Sequence, residues 1–168
     1  MPVRKSRARK RKNEAAPKNL PKFFSYAMAW GWISRAIAHR FFLEAVTLEE
    51  SIIADRLISQ LSRVGSLKAD RRLERLHFAN LIAAWKKAVP TPITDQFFPD
   101  LQSATDEWRK RRNYVVHGTV KSIPGSPHHD IGTFKQEAEK CATDGKRIAM
   151  SVCNWCEREK RRAGVARR

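Results

Sequence analysis

The stretch RRNYVVHG, residues 111–118, ends a helix that the spacing of apolar residues predicts to begin after Asp100. One face of this helix carries the apolar residues Leu101, Ala104, Trp108 and Val115. Arg112 follows Trp108 by four residues and therefore falls on the same face. An arginine that extends an apolar stripe is turned at least partly toward the interior, so we predict that Arg112 has a role other than surface hydration.

The same helical spacing of apolar residues runs through the rest of the chain between its two ends. It predicts a first helix over residues 23–46 and a second that runs from a capping box at Thr47 and Glu50 to Gly65. A third helix runs from Asp70 to the stretch VPTPITDQFFPD at 89–100. The fourth spans residues 100–118, and the fifth begins at Thr133. No internal repeat and no alternating strand pattern occurs in the sequence. We therefore predict an all-α fold, a helical bundle of about five helices.

The net charge of +17 indicates an acidic partner such as nucleic acid. Residues 1–22 hold nine basic residues and one acid, and residues 158–168 hold six basic residues and one acid, so residues between them are near neutral at +4. We expect a disordered basic arm over 1–22, a helical domain over 23–160 and a basic tail over 161–168. The two ends would supply most of any sequence-independent affinity for phosphate.

The composition predicts a cytoplasmic protein. The basic opening lacks the apolar core of a secretory signal, and the longest uncharged apolar run, residues 23–34, is too short to span a bilayer. Three cysteines are too few for a disulfide framework, which favours a reducing compartment. A less favoured alternative is a membrane-surface protein that uses its aromatic first helix and basic arm.

The cysteines also raise the question of a metal site. Cys153 and Cys156 have the two-residue gap of a zinc knuckle, and Cys141 with His128 or His129 would complete four ligands. No second CxxC occurs, and cysteines along one helix more often pack in a core, so we expect no metal and no cofactor. The sequence also lacks a glycine-rich phosphate loop, HExxH and GxSxG, which argues against nucleotide-driven enzymes, zinc proteases and serine hydrolases.

Arg112 and His117 can share one site only if the helix between them loosens. Five residues place two side chains about 140° apart on an unbroken helix, as we expect for the same spacing at Arg72 and His77. Val115 and Val116 are weak helix formers, and Gly118 favours a left-handed stop. We therefore expect the last turn to fray, so that His117 turns toward Arg112, while Asn113 at i,i+4 spacing orients the imidazole.

Such a trio suits metal-free cleavage of RNA. Neutral His117 would take the proton from a ribose 2′-hydroxyl, and the guanidinium of Arg112 would hold the phosphate oxygens as charge develops on them. The cations Arg109, Lys110 and Arg111 would favour the neutral imidazole.

The order of Arg112, Asn113 and His117 in RNYVVH, on a late helix of an all-α domain, resembles the signature of the HEPN superfamily. The resemblance spans the helical layout of residues 23–160, and Glu49 or Glu50 resembles an acidic position that some members place near the site. It implies an endoribonuclease, often the toxin of a toxin–antitoxin or phage-defence system with a cognate antitoxin protein. It also implies a homodimer that brings two such motifs together.

A second interpretation remains open for each of these residues. His117 also fits a capping histidine that is favoured by the negative end of the helix dipole. Arg109, Lys110 and Arg111 fit a solvated face better than specific RNA contacts, and Tyr114 fits core or interface better than a platform for base stacking. The alternative function is a non-catalytic nucleic-acid-binding scaffold, dimeric through its helical body, that binds through its basic ends.

Overall fold

The structure, a computed structural model, describes residues 20–67, 77–118 and 131–165. These ranges form five α-helices: α1 (Leu20–Ala38), α2 (Phe42–Arg63), α3 (Phe78–Ala88), α4 (Leu101–Gly118) and α5 (Ile131–Val165). The described ranges contain no strand. The prediction of an all-α fold with about five helices is confirmed.

Helix α2 lies at the centre of the bundle and contacts each of the other four helices. Its side chains Ile53, Leu57 and Leu61 are fully buried, as are Trp85 of α3 and Trp108 of α4. Burying an aliphatic side chain of this size stabilises the fold by about 2 kcal/mol, so this central helix carries much of the hydrophobic stabilisation. Helix α5, 35 residues long, packs along both α2 and α4.

The prediction of one helix over residues 23–46 is wrong, because the chain breaks between α1 and α2. Arg40 has a φ of 63°, in the left-handed region. The backbone N–H of Phe41 donates to the carbonyl of Ala36 at 2.8 Å, and that of Arg40 donates to Ile37 at 3.1 Å. This pair of bonds is a Schellman motif, which normally has glycine where Arg40 stands. No residue type in the sequence therefore signals the break.

The capping box predicted at Thr47 is also wrong, since α2 already begins at Phe42. The Thr47 hydroxyl instead donates to the carbonyl oxygen of Leu43 at 2.8 Å, one turn back within the helix. Glu50, the other half of the predicted box, pairs with an arginine of α4. Both residues fit the capping pattern in sequence but lie in the interior of the helix.

Other helix ends agree with the sequence pattern. The carboxylate of Asp100 accepts from the backbone N–H groups of Gln102 at 3.0 Å and Ser103 at 3.2 Å, which caps α4. Gly65, just after α2, adopts a left-handed φ of 74°. The cap predicted at Asp70 and the side chain of Arg72 lie outside the described residues. The prediction that this helix continues unbroken through His77 is wrong, because His77 has an extended ψ of 138° and α3 begins only at Phe78. Helix α5 begins at Ile131, two residues before the predicted start at Thr133.

The two ends of the bundle extend slightly beyond the predicted domain limits. Helix α1 begins at Leu20, inside the range predicted as a basic arm, and α5 continues to Val165, inside the predicted tail. Residues 1–19 and 166–168 lie outside the described residues. None of the helices over 20–67, 77–118 and 131–165 has the length and apolar content that a bilayer-crossing helix needs.

Candidate functional site

Helix α4 is continuous through Gly118, so the expectation that its last turn frays is wrong. Val115 is fully buried and Val116 packs against the core, which holds this turn in place. Burial of such side chains contributes about 2 kcal/mol, more than the few tenths that valine loses in helix propensity. Arg112 and His117 of one chain therefore point about 140° apart, and the structure does not bring them together.

Arg112 lies at the junction of α4 with α2, turned inward as predicted. Its guanidinium forms an ion pair with Glu50, and the two side chains are only 20% and 18% exposed. The Nη1 group donates to the Asn113 Oδ1 atom at 2.8 Å. Asn113 thus holds Arg112, which corrects the expectation that it orients His117. The Arg112 Nε atom is buried and has no partner among the described residues.

His117 lies on the opposite side of α4 from the core. Its side chain is exposed and has no hydrogen bond or ion pair within the described ranges. An exposed imidazole at a helix end is accessible to solvent and to a ligand from outside the chain. It meets the steric requirement of a general base, although none of the described residues orients it.

The two acids proposed as support, Glu49 and Glu50, occupy different environments. Glu50 faces Arg112, and although burial raises the pKa of its carboxyl, the nearby guanidinium opposes that shift. It is therefore the acidic group that belongs to the candidate site. Glu49 is fully buried in the bundle and does not reach the surface.

Glu49 is buried beside Gly145 of α5 and the ring of Trp108. A Cβ atom on Gly145 would lie 2.7 Å from that ring and would also collide with the Glu49 carboxyl, so only glycine fits. Neither carboxyl oxygen has a hydrogen-bond partner among the described residues. Burial raises the pKa of Glu49 to about 9, against the opposing charge of Lys146. Glu49 is therefore a neutral acid at pH 7 and a part of the core.

The predicted RNA-binding residues are largely engaged with acids of the same chain. Arg109 pairs with Asp106 at 2.9 Å, Lys110 approaches the same carboxylate at 3.8 Å, and Arg111 pairs with Asp144 of α5 at 2.8 Å. Tyr114 is 41% exposed. Ion pairs at a surface contribute about 1 kcal/mol or less, so a phosphate can replace either carboxylate. The pairs of Asp106 with Arg109 and Lys110 could be predicted from their i,i+3 and i,i+4 spacing. The pair of Arg111 with Asp144 could not, because Asp144 lies on a different helix.

The cysteines lie along α5, as the sequence predicts, with Cys141 and Cys156 buried. Burial raises the pKa of both thiols to about 12, which keeps them protonated and unreactive. In the described part of the chain, no three residues of the types that bind metals lie together. His128 and His129, the other proposed zinc ligands, lie outside the described residues.

Comparisons of the chain with protein-family models, with curated proteins and with solved structures find no match.

The buried carboxyl of Glu49 predicts an unusual dependence of stability on pH. Its pKa is raised from 4.5 to about 9, so folding takes up a proton between these values. The free energy of unfolding should therefore be highest at the acidic end of this window and fall by about 1 kcal/mol per unit as pH rises toward 9. We expect Glu49→Gln, which cannot ionise, to lose this slope in urea unfolding followed by tryptophan fluorescence.

Glu139→Gln, at an exposed position of α5, is the matched control and should keep the wild-type slope. Parallel pH profiles for the wild type and Glu49→Gln would show that Glu49 is not a neutral buried acid.

Proposed function

We propose that the protein is a metal-independent endoribonuclease in which Arg112 binds the scissile phosphate and His117 is the general base. The observation that carries the proposal is the Glu50–Arg112–Asn113 cluster at the α2–α4 junction. Withdrawing a guanidinium from water is costly, and it is retained here in a fixed position by a carboxylate and an amide. This is the arrangement needed to hold a cation ready for a phosphate.

The guanidinium retains donors for a substrate. Of its five N–H groups, the contacts to Glu50 and Asn113 use two and the Nε–H is buried, which leaves one N–H on each of the two Nη atoms. In the proposed reaction, His117 takes the proton of a ribose 2′-hydroxyl, and the 2′-oxygen attacks the adjacent phosphorus. The bond to the 5′-oxygen breaks, leaving a 2′,3′-cyclic phosphate, and the departing oxygen takes up a proton. Arg112 binds the phosphate oxygens more strongly as their charge increases.

The unbroken α4 makes a second protomer part of the proposal. Because Arg112 and His117 of one chain point in nearly opposite directions, a single chain cannot place both on one phosphodiester. In a homodimer, His117 of one protomer approaches Arg112 of the other. The composite site then contains the base, the cation and its supporting acid, Glu50, without any change in the helix.

An apolar groove beside α2 is the surface we propose for this dimer. The groove, of about 620 Å³, contains the exposed side chains Trp32, Phe41 and Leu43. Large exposed apolar side chains that cluster in this way usually mark an interaction surface. Leu43 and Glu50 are separated by two helical turns and share one side of α2, so a protomer bound here would lie close to the Glu50–Arg112 pair.

The charges at this groove favour a second copy as the occupant. A two-fold interface uses the same patch twice, so the patch must be complementary to itself. Arg35 and Glu44 both line the groove, which allows Arg35 of each protomer to face Glu44 of the partner subunit. Such pairing matters for a chain of net charge +17, whose copies otherwise repel each other.

The resemblance to HEPN proteins extends the proposal to biology. It implies a toxin of a toxin–antitoxin or phage-defence system, acting on RNA in the cytoplasm under the control of a cognate antitoxin protein. The match of the Arg112, Asn113 and His117 spacing, together with the contact between Arg112 and an acid of the second helix, supports this assignment.

Two observations favour the alternative, a non-catalytic scaffold that binds nucleic acid. The charge of Arg112 is already compensated by Glu50, and His117 has no orienting partner within its described surroundings. A scaffold would retain the helical body for dimerisation and bind through the basic ends of the chain. Cleavage assays separate the two functions directly.

Replacement of the proposed base tests the enzyme. We expect His117→Ala to lower the rate of RNA cleavage by about 10²- to 10⁴-fold, the usual contribution of a general base, while circular dichroism remains unchanged. The rate is measured with a fluorogenic RNA oligonucleotide in the presence of EDTA. His77→Ala, which removes another exposed histidine, should retain full activity. Equal cleavage by the wild type and His117→Ala would contradict catalysis by His117.

Replacement of Leu43 tests the dimer. We expect Leu43→Glu to place a charge in the apolar groove, to give a monomer in sedimentation-velocity experiments and to abolish cleavage. Met150→Glu changes an exposed apolar residue of α5 outside the groove and should leave both properties intact. A monomeric wild type that cleaves RNA, or a Leu43→Glu dimer, would rule out this interface.

A further inference from the structure

A second cleft, of about 390 Å³, lies between α1, α2 and α5. Four cationic side chains and one carboxylate are among its lining residues: Lys22, Arg56, Arg63, Lys160 and Glu157. Arg56 follows Glu50 by six residues, which places the cleft about 120° around α2 from the Arg112 site. The cleft is thus a separate feature of the folded body, and no interpretation of the sequence pointed to it.

The inner wall of the cleft is fixed by contacts among all three helices. The guanidinium of Arg56 lies 4.3 Å from the centre of the Tyr26 ring and pairs with Glu157 at 3.3 Å. Asp55 accepts from the Tyr26 hydroxyl and from Lys22, the latter at 2.9 Å. The Cys156 thiol donates to the backbone oxygen of Arg56 at 3.7 Å. Arg56 is therefore a cation in a fixed orientation, with its side chain 27% exposed.

The outer wall carries positive charge that the described residues do not neutralise. Arg63 bonds to the neutral amide of Gln60, and neither Arg63 nor Lys160 has an acidic partner in the described part of the chain. The nearby acids, Asp55 and Glu157, are engaged by Lys22, Tyr26 and Arg56. The cleft therefore has an excess of positive charge, which favours an anion with more than one negative charge.

We propose that this cleft binds a phosphate group of an anionic ligand, with Arg63 and Lys160 as its primary contacts and Arg56 as the fixed cation behind them. The planar guanidinium group of an arginine such as Arg63 can donate two parallel hydrogen bonds to phosphate oxygens. The ammonium group of Lys160 adds positive charge without requiring a fixed geometry. The volume is within the range of sites for small molecules. The phosphate belongs either to the backbone of an RNA strand or to a small phosphorylated compound, and both present the same chemistry to the cleft.

The test compares two double variants of the full chain that remove equal charge. Arg63→Ala/Lys160→Ala alters the cleft, whereas Lys87→Ala/Arg147→Ala removes one lysine and one arginine from exposed positions elsewhere. RNA binding is measured by fluorescence anisotropy with a single-stranded 2′-O-methyl oligonucleotide, which has no 2′-hydroxyl and stays intact whether or not the protein is a nuclease. Binding of a small phosphate is measured as the shift in Tm caused by inorganic pyrophosphate.

Two outcomes support the site. If the phosphate belongs to RNA, the affinity of the cleft variant falls about tenfold at low salt. The slope of its salt dependence should also fall by about 0.7 for each phosphate that the cleft no longer binds, while the control variant stays close to the wild type. If the ligand is small, pyrophosphate raises the Tm of the wild type and the control but not that of the cleft variant.

The opposite result overturns it. If the cleft variant and the control variant respond alike to both probes, the cleft is not a phosphate site. Because neither probe is cleaved and His117 is unchanged, this result leaves the proposed nuclease activity to its own test.

Discussion

The close approach of α5 to α2 and α4 at Gly145 is the contact on which the rest of the structure depends. The absence of a side chain at this position leaves room for the Glu49 carboxyl and the edge of the Trp108 ring. The Trp108 Nε1 group donates to the backbone oxygen of Cys141 at 2.8 Å, which fixes α4 against α5. Arg112 follows Trp108 by one helical turn on the same face, so this contact also sets where Arg112 meets α2.

Two adjacent acids of α2 lie in different environments because of where the helix directs them. Glu49 points into the core, where burial raises its pKa to about 9, whereas at Glu50 burial also raises the pKa but the guanidinium of Arg112 opposes the shift. The same helix therefore contributes one acid to the packing of the bundle and another to the candidate site. In the site that we propose, the cation held at the edge of the bundle and the exposed imidazole at the end of α4 come from two different protomers. This geometry, together with the apolar groove beside α2, links the proposed chemistry to the proposed dimer.

Sequence patterns predicted the parts of the fold that depend on local chemistry. The cap at Asp100, the end of the second helix before Gly65, the buried stripes and the inward turn of Arg112 all follow from residue type and helical spacing. The break at Arg40 could not be foreseen, because neither glycine nor proline marks it and tertiary packing selects the strained residue. The fraying of α4 was wrongly expected because burial of Val115 and Val116 outweighs their weak helix propensity. The basic cleft was missed because its residues come from three helices that are far apart in the sequence, as Arg56 and Glu157 are at 101 positions, so that no spacing pattern marks it.

The account depends most on the claim that Arg112 of one protomer acts with His117 of the other. The direct measurement mixes Arg112→Ala and His117→Ala, two inactive variants, after refolding them together so that subunits exchange. A heterodimer then contains one site with both residues replaced and one site with both intact. Since random exchange makes half the dimers mixed, the mixture should regain about a quarter of the wild-type rate of RNA cleavage. A mixture that stays as inactive as either variant alone, with exchange demonstrated, would contradict the account.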